Sequence, residues 1–444
     1  MKLIPSIHVH KPIRTALAVI VVTAASAGAV GGPAAASGNP HPGTISLVSV
    51  GLSGIGGNEG SGVDGASGTS AQGRYVVFTS AATDLVANDT NGQRDIFVRD
   101  VVTGRTTLVS VGPGGVQGNG ESRQASISAD GRFVAFDSFA SNLVPGDSND
   151  SPDVFRRDLR TGRTALVSVG LDSPADLGAV FPDISADGNH VAFESSSSNL
   201  VPGDTNATQD IFVRNLRAGR TERVSLTSAG LQSDLPSLEP AISGNGRIVA
   251  FTALGGPAAI QVRDRDKNTT RTVSDGIPAN PPSVIVEAGI PDVSSDGRFV
   301  VFTLTSGPGI EPTSNVWLRD LRTNRAQLIS ADYQGNPSTA IGGASGTISA
   351  DGRYVTFWTQ ARTSSTDQGT LGDVYRLDRK TGSLVWVTHR QNQTDPFGGR
   401  MGSTAPAISD DGQHIAFDSD DKNLAGDVGP SGFEKYLWNA TRPR

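Results

Sequence analysis

The sequence contains no cysteine, which excludes disulfide staples, thiol catalysis and thiolate-held metals. It has only 6 lysines, none after a glycine, so the phosphate-cradling Gly-Lys-Ser/Thr loop is absent. Of 44 acidic residues only 8 are glutamate, and a chain that puts its acidity into aspartate favours turns and oxygen-ligand sites over helices. Positive charge is also short. The 37 basic residues leave a formal net charge of −7, the wrong sign for a general nucleic-acid binder, which needs basic faces to neutralise phosphates. No Gly-x-Ser-x-Gly nucleophile elbow and no His-Glu-x-x-His metal motif occurs. Glycine and proline are plentiful, 54 and 25 of 444 residues, above the usual total of about 12% but below the composition of disordered chains. That describes a turn-rich globular protein.

The first 36 residues carry no acid, three bases (Lys2, Lys11, Arg14) and the apolar run from Ala16 to Val22, followed by small residues. This order predicts a secretory signal over residues 1–36, with cleavage sites fitting after Ala27 or after Ala36. The alternative, a membrane anchor, needs about 20 apolar residues, more than this stretch supplies. Residues 37–444 would then form one exported domain of 34 basic and 44 acidic residues, net −10, secreted or associated with the cell envelope. No later stretch is apolar enough to span a bilayer.

One phrase, Ser-x-Asp-Gly-Arg followed by an apolar run ending in Phe, occurs seven times in exact or variant form. Its glycines are Gly73, Gly131, Gly188, Gly246, Gly297, Gly352 and Gly412, at intervals of 58, 57, 58, 51, 55 and 60 residues. Asp-Gly or Asn-Gly between two apolar runs predicts a tight primed hairpin, here pairing Ala125–Ser128 with Arg132–Asp137. About twenty residues on comes a third run, such as Asp95 to Asp100, and then a second turn residue (Gly104, Gly162, Gly219, Asn268, Asn324, Gly382) that tolerates left-handed geometry. Each repeat therefore reads as a four-stranded antiparallel meander, with near-continuous apolar strands that need cover on both faces. Seven such sheets close most economically as an all-β, seven-bladed β-propeller. The termini agree: Thr44–Val50 is a fourth strand without a repeat, and Lys435–Trp438 is a third strand without a fourth, so the N-terminal strand should complete the last blade.

Ser128–Phe136 (Ser-Ala-Asp-Gly-Arg-Phe-Val-Ala-Phe) followed by Asp153–Gly162 (Asp-Val-Phe-Arg-Arg-Asp-Leu-Arg-Thr-Gly) resembles the WD-like repeat of TolB-like β-propellers, bacterial proteins that include envelope scaffolds and peptidase gating domains. The resemblance covers residues 43–440 and implies a propeller fold. The chain departs from TolB in its seven repeats and in lacking a preceding α/β domain.

In such a meander the Asp-Gly and Thr-Gly turns share one face, and the long loops share the other. On the long-loop face blades one to three repeat an Asp-x-Asn-x-x-x-Asp spacing: Asp89, Asn91, Asp95; Asp147, Asn149, Asp153; Asp204, Asn206, Asp210. Alternating oxygen side chains suit a hard cation such as calcium, which takes 6–8 oxygens. The competing reading is that Asp and Asn cap their own turns. His8 and His10 leave with the signal, His41 lies in the N-terminal tail, His190 and His414 take a repeated structural position, and His389 reads as a surface residue. Glu121, Glu194, Glu239, Glu287 and Glu311 lie away from the repeat's regular acidic positions. Arg-Asp pairs such as Arg99-Asp100 read as blade-to-blade ties, and the four tryptophans as packing.

The sequence thus predicts an exported, monomeric, non-enzymatic binding or scaffold module that recognises a protein or envelope polymer through its long-loop face, with calcium ordering loops 83–95, 141–153 and 198–210. The alternative is an extracellular carbohydrate-active hydrolase or lyase using Asp and Glu around the central channel, Glu194 and Glu239 foremost. A third reading is a purely structural spacer.

Overall fold

The computed structural model describes residues 43–62, 67–255, 258–277, 285–306, 313–332, 335–337, 345–360, 372–388, 403–421, 424–425 and 432–440. The expected signal segment 1–36, His41, Glu311, His389 and most of the last blade's long loop lie outside the described residues, as do the side chains of residues 285–287. No helix among the described residues is long and apolar enough to cross a membrane.

Seven four-stranded antiparallel sheets form a ring, six of them running in chain order from inner to outer strand. Blade two is representative: Ser122–Ile127, Phe133–Ser138, Asp153–Asp158 and Arg163–Leu166. Ring closure is as the termini foretold. Gly43–Leu47 pairs antiparallel with Glu434–Ala440, Gly43 opposite Ala440 and Leu47 opposite Tyr436, as the outer strand of the sheet begun by Ser403–Ile408 and His414–Ser419.

Each second strand opens with an apolar run because neighbouring blades cover both faces, so Val134, Ala135 and Phe136 are all inaccessible to solvent. Inside most blades a second-strand ring stacks on a third-strand ring: Phe78 on Phe97 at 5.9 Å, Phe136 on Phe155 at 5.8 Å, Phe417 on Tyr436 at 5.8 Å. Each such pair contributes about 0.5–1.5 kcal/mol beyond its burial.

The first hairpin is not the two-residue primed turn expected from Asp-Gly. It is a longer turn in which Gly131 N–H donates to Ser128 O at 2.8 Å, and only the glycine has positive φ, 71°. Asp130 serves differently, accepting from Ser128 Oγ at 2.7 Å and from Arg132 N–H at 2.9 Å. The glycine is required twice over, since a Cβ at Gly131 would strike the Tyr75 ring of the preceding blade. The same contact explains the two repeated histidines: His190 packs on Gly246, and His414 on Gly73 across the closing seam.

The Arg-Asp pairs divide between two roles. Asp100, Asp158, Asp264 and Asp320 each hold the arginine that follows the first-turn glycine of their own blade in a two-pronged ion pair, as Asp158 holds Arg132 at 3.0 and 2.6 Å. Only the arginine reaches the neighbouring blade, and it finds carbonyls there: Arg157 meets Val111 O at 3.2 Å, and Arg319 meets Val273 O at 2.8 Å. The expected charge-to-charge ties between blades are thus carbonyl bonds.

Candidate functional site

The three Asp-x-Asn loops lie on the long-loop face and repeat one hydrogen-bond scheme. The last Asp of each begins a third strand, is fully buried, and is held by a serine two residues past the fourth strand: Ser110 donates to Asp95, Ser168 to Asp153 at 2.5 Å, and Ser225 to Asp210. The same serine accepts the next backbone N–H, as Ser168 Oγ does from Val154 at 3.1 Å. The middle Asn closes the loop with both ends of its amide. Its nitrogen donates to the Asp (Asn91 to Asp95 at 2.7 Å, Asn149 to Asp153 at 2.7 Å, Asn206 to Asp210 at 2.9 Å), and its oxygen caps the turn two residues on. That nitrogen also reaches the inter-blade hairpin, as at Ala175 O, 2.7 Å away. The capping bonds therefore exist, and they leave Asp89 Oδ1 of blade one buried without a donor, whereas Asp204 of blade three accepts from Gln232 at 3.2 Å and meets Arg223 at 3.1 Å. Burial pushes Asp95 up to about 6, and Asp147 likewise to about 6 with Asp153 and Asp150 adding repulsion. Among the described residues no group of three or more His, Asp or Glu converges as a metal site.

Around the channel, five inner strands carry a bulge that the sequence reading did not anticipate. In four of them Phe181, Glu239, Ile290 and Ala405 adopt φ of 53°, 53°, 49° and 47°, and each precedes a proline (Pro182, Pro240, Pro291, Pro406). A non-glycine residue there is strained, and a residue before proline normally stays extended. The strain has a partner in three blades, where the turned-out N–H meets a carboxylate. Phe181 N–H goes to Asp137, Glu239 N–H to Glu194 at 3.2 Å, and Ile290 N–H to Glu239 at 2.9 Å. The two glutamates singled out for chemistry therefore tie blades three, four and five together. Deeper in the channel Asp183 accepts from Ile242 N–H at 2.7 Å, and Asp292 from Ile348 N–H at 2.8 Å, beside a cavity of about 190 Å³.

Burial raises these carboxylates, Asp137, Glu194 and Asp292 each to about 7, with Glu239 adding repulsion at Glu194. The folded chain therefore keeps protons that the unfolded chain releases near pH 4, and stability falls as pH rises from about 4 to 7. The arginine-paired Asp100 and Asp264 act oppositely: held down to about 2, chiefly by Arg74 and Arg247, they stabilise above pH 4 and lose that contribution as pH drops through 2. Urea unfolding is expected to show a higher midpoint at pH 5 than at pH 8, with the difference reduced in Asp137→Asn. A midpoint that rises steadily to pH 8 would contradict this assignment.

The long-loop face is also the apolar face. Among the described residues every exposed large hydrophobic side chain except Val102 lies on it. Some sit at the channel mouth, where the strained bulges push out Phe181 and Ile290, 40% and 46% exposed. Others, Leu52, Leu171 and Leu231, tip the small inter-blade hairpins. Leu171 also borders a groove of about 800 Å³ between loop 143–146 and hairpin 169–174, along the open outer strand of blade two.

The architecture is that of a seven-bladed β-propeller, and solved propellers resemble it. An oligogalacturonate lyase in complex with manganese is similar with a TM-score of 0.54 at 14% identity, over 91% of this chain and 98% of that one. Oligogalacturonate lyase from Vibrio parahaemolyticus gives 0.54 at 11% identity, over 91% of this chain and 99% of that one. TolB from Acinetobacter baumannii gives 0.39 at 15% identity, over 78% and 79%. At such identities the likeness to the lyases is one of fold. No family model matches the chain, and no curated protein sequence does.

Proposed function

We propose that the protein is a non-enzymatic binding module that grips a protein or envelope polymer with its long-loop face. The observation behind this is the one-sided distribution of exposed large apolar side chains, with Val102 alone on the other face among the described residues. Contiguous apolar surface on a folded domain marks an interaction site, and loops on a rigid mount are where recognition is usually built. The carboxylates near the channel are engaged in joining blades, which supports a role in holding the mount rigid.

The test is retention of a saturable partner from envelope and culture extract by wild type, by Leu171→Asp combined with Leu231→Asp, and by Val102→Asp. Wild type and Val102→Asp should bind alike, and the double variant should lose at least tenfold in affinity while melting normally. Equal retention by all three would overturn the reading. The second reading, a carbohydrate-active hydrolase or lyase, draws on Glu194, a carboxyl pushed up to about 7 next to Glu239 and thus able to exchange a proton at neutral pH. Turnover of a polysaccharide that is lost in Glu194→Gln with an unchanged melting temperature would favour it.

A further inference from the structure

Loops 83–95 and 198–210 are near copies, yet they differ in how their charge is met. In blade three Arg223 stands on the fourth strand opposite Phe212, and its Nη1 lies 3.1 Å from Asp204 Oδ1 and 3.4 Å from Asp210 Oδ2. One cation is shared by the first and last aspartates of the loop. In blade one the residue opposite Phe97 is Leu108. The counterparts of the two aspartates are Asp89 and Asp95, and the side chain beside them is apolar.

Asp89 is only 8% exposed, and its Oδ1 is buried and accepts no hydrogen bond. Its carboxylate does accept the Asn91 N–H, so the loop is formed and one oxygen is left over. Asp95 is wholly buried, with Ser110 on one oxygen and Asn91 on the other. A buried anionic oxygen without a donor is costly, and in a native fold it calls for an ion or an ordered water. Blade three shows what answers that need when the fourth strand provides it: a positive charge.

We propose that blade one binds a hard divalent cation of the calcium class between Asp89 and Asp95, in the place that the Arg223 guanidinium fills in blade three. Carboxylate oxygens suit calcium, and carbonyls and water can complete its 6–8 ligands. The three equivalent calcium loops expected from the sequence thus become unequal. Blade three carries its own cation, and blade two, where Asp147 is more open to water, is no part of the inference. The loop that would hold the ion also carries part of the long-loop face. Asn91 donates to Gly118 O at 3.1 Å, and Asn88 O accepts from Gln117 at 2.9 Å, joining it to the hairpin that exposes Val116. The site stands whether or not that face binds a partner.

The test is calcium titration of the chain after dialysis against chelator, read by calorimetry and by thermal unfolding, on wild type, Asp89→Asn, Leu108→Arg and Asp204→Asn. Wild type should bind calcium and melt higher with it. Asp89→Asn and Leu108→Arg should each bind one calcium fewer, while Asp204→Asn should match wild type. Leu108→Arg, given the arginine of blade three, should melt above wild type in chelator. A wild type that binds no calcium in the millimolar range overturns the proposal. So does an unchanged stoichiometry in either blade-one variant that melts cooperatively.

Discussion

Replacing Lys435 with methionine is expected to destabilise the protein by about 3–5 kcal/mol, the usual cost of leaving one member of a buried ion pair alone. Lys435 Nζ pairs with Asp418 Oδ1 on adjacent strands of the last blade, and both side chains are wholly inaccessible to solvent. Removing the ammonium takes the opposite charge away from a carboxylate held in a dry interior. The double variant Lys435→Met with Asp418→Leu removes both charges and should recover most of the loss, since apolar replacement of a whole buried pair is often neutral or favourable. Chemical denaturation at pH 8 reads both effects. A single variant within 1 kcal/mol of wild type at pH 8 would show that the pair is not buried as described.

Shortening the chain to begin at residue 51 is expected to abolish cooperative unfolding. The last blade loses its outer strand, and with it Val48 from the core and Ile45 and Leu47 from its margin. It also loses Ser49, whose hydroxyl donates to Glu434 Oε2 at 2.5 Å and accepts from Lys435 N–H at 3.0 Å, both groups being buried. In blades one to three the serine doing this follows that blade's own fourth strand, whereas here it comes from the far end of the chain. A synthetic peptide of residues 43–50 added in trans should restore a cooperative melt, whereas the peptide with Ser49→Ala should restore it poorly. A cooperative melt from the truncated chain alone would mean that the ring closes without its N-terminal strand.

The blades, their number and their seam were legible because each rests on short-range patterns: Asp-Gly before an apolar run, a left-handed-tolerant residue after the third strand, and unmatched strands at the two ends. What escaped reading depends on neighbours far apart in sequence. The arginine of Asp-Gly-Arg and the aspartate closing the third strand are 26 residues apart at Arg132 and Asp158, and each looked like part of a different local motif. The serine clamp had a visible trace in the Val-Ser-Val of residues 48–50, 109–111 and 167–169, which periodicity alone explained as strand. The bulges had one too, in prolines standing at one register of four inner strands, Pro182, Pro240, Pro291 and Pro406. Their positive φ was not legible, because a residue before proline is ordinarily extended and only the carboxylate of the preceding blade makes the other state worthwhile. Among the candidate calcium ligands the spacing was legible and the difference between blades was not. Arg223 and Leu108 are ordinary fourth-strand residues until the register sets them opposite Phe212 and Phe97.

The seam also sets a clock. Ser46 bonds Leu437, 391 residues along the chain. Closing so long a loop is thermodynamically mild, since each doubling of length costs only about 0.6 kcal/mol. Its kinetic demand is greater. At about 5–20 residues per second, synthesis takes roughly 20–80 s to pass from the first strand to its partner. Throughout that interval Gly43–Leu47 is an unpaired strand with Ile45 and Leu47 to hide, and the six earlier sheets can form without it. The protein's exposure to mispairing is therefore concentrated in its earliest strand, and it ends only when the last one emerges.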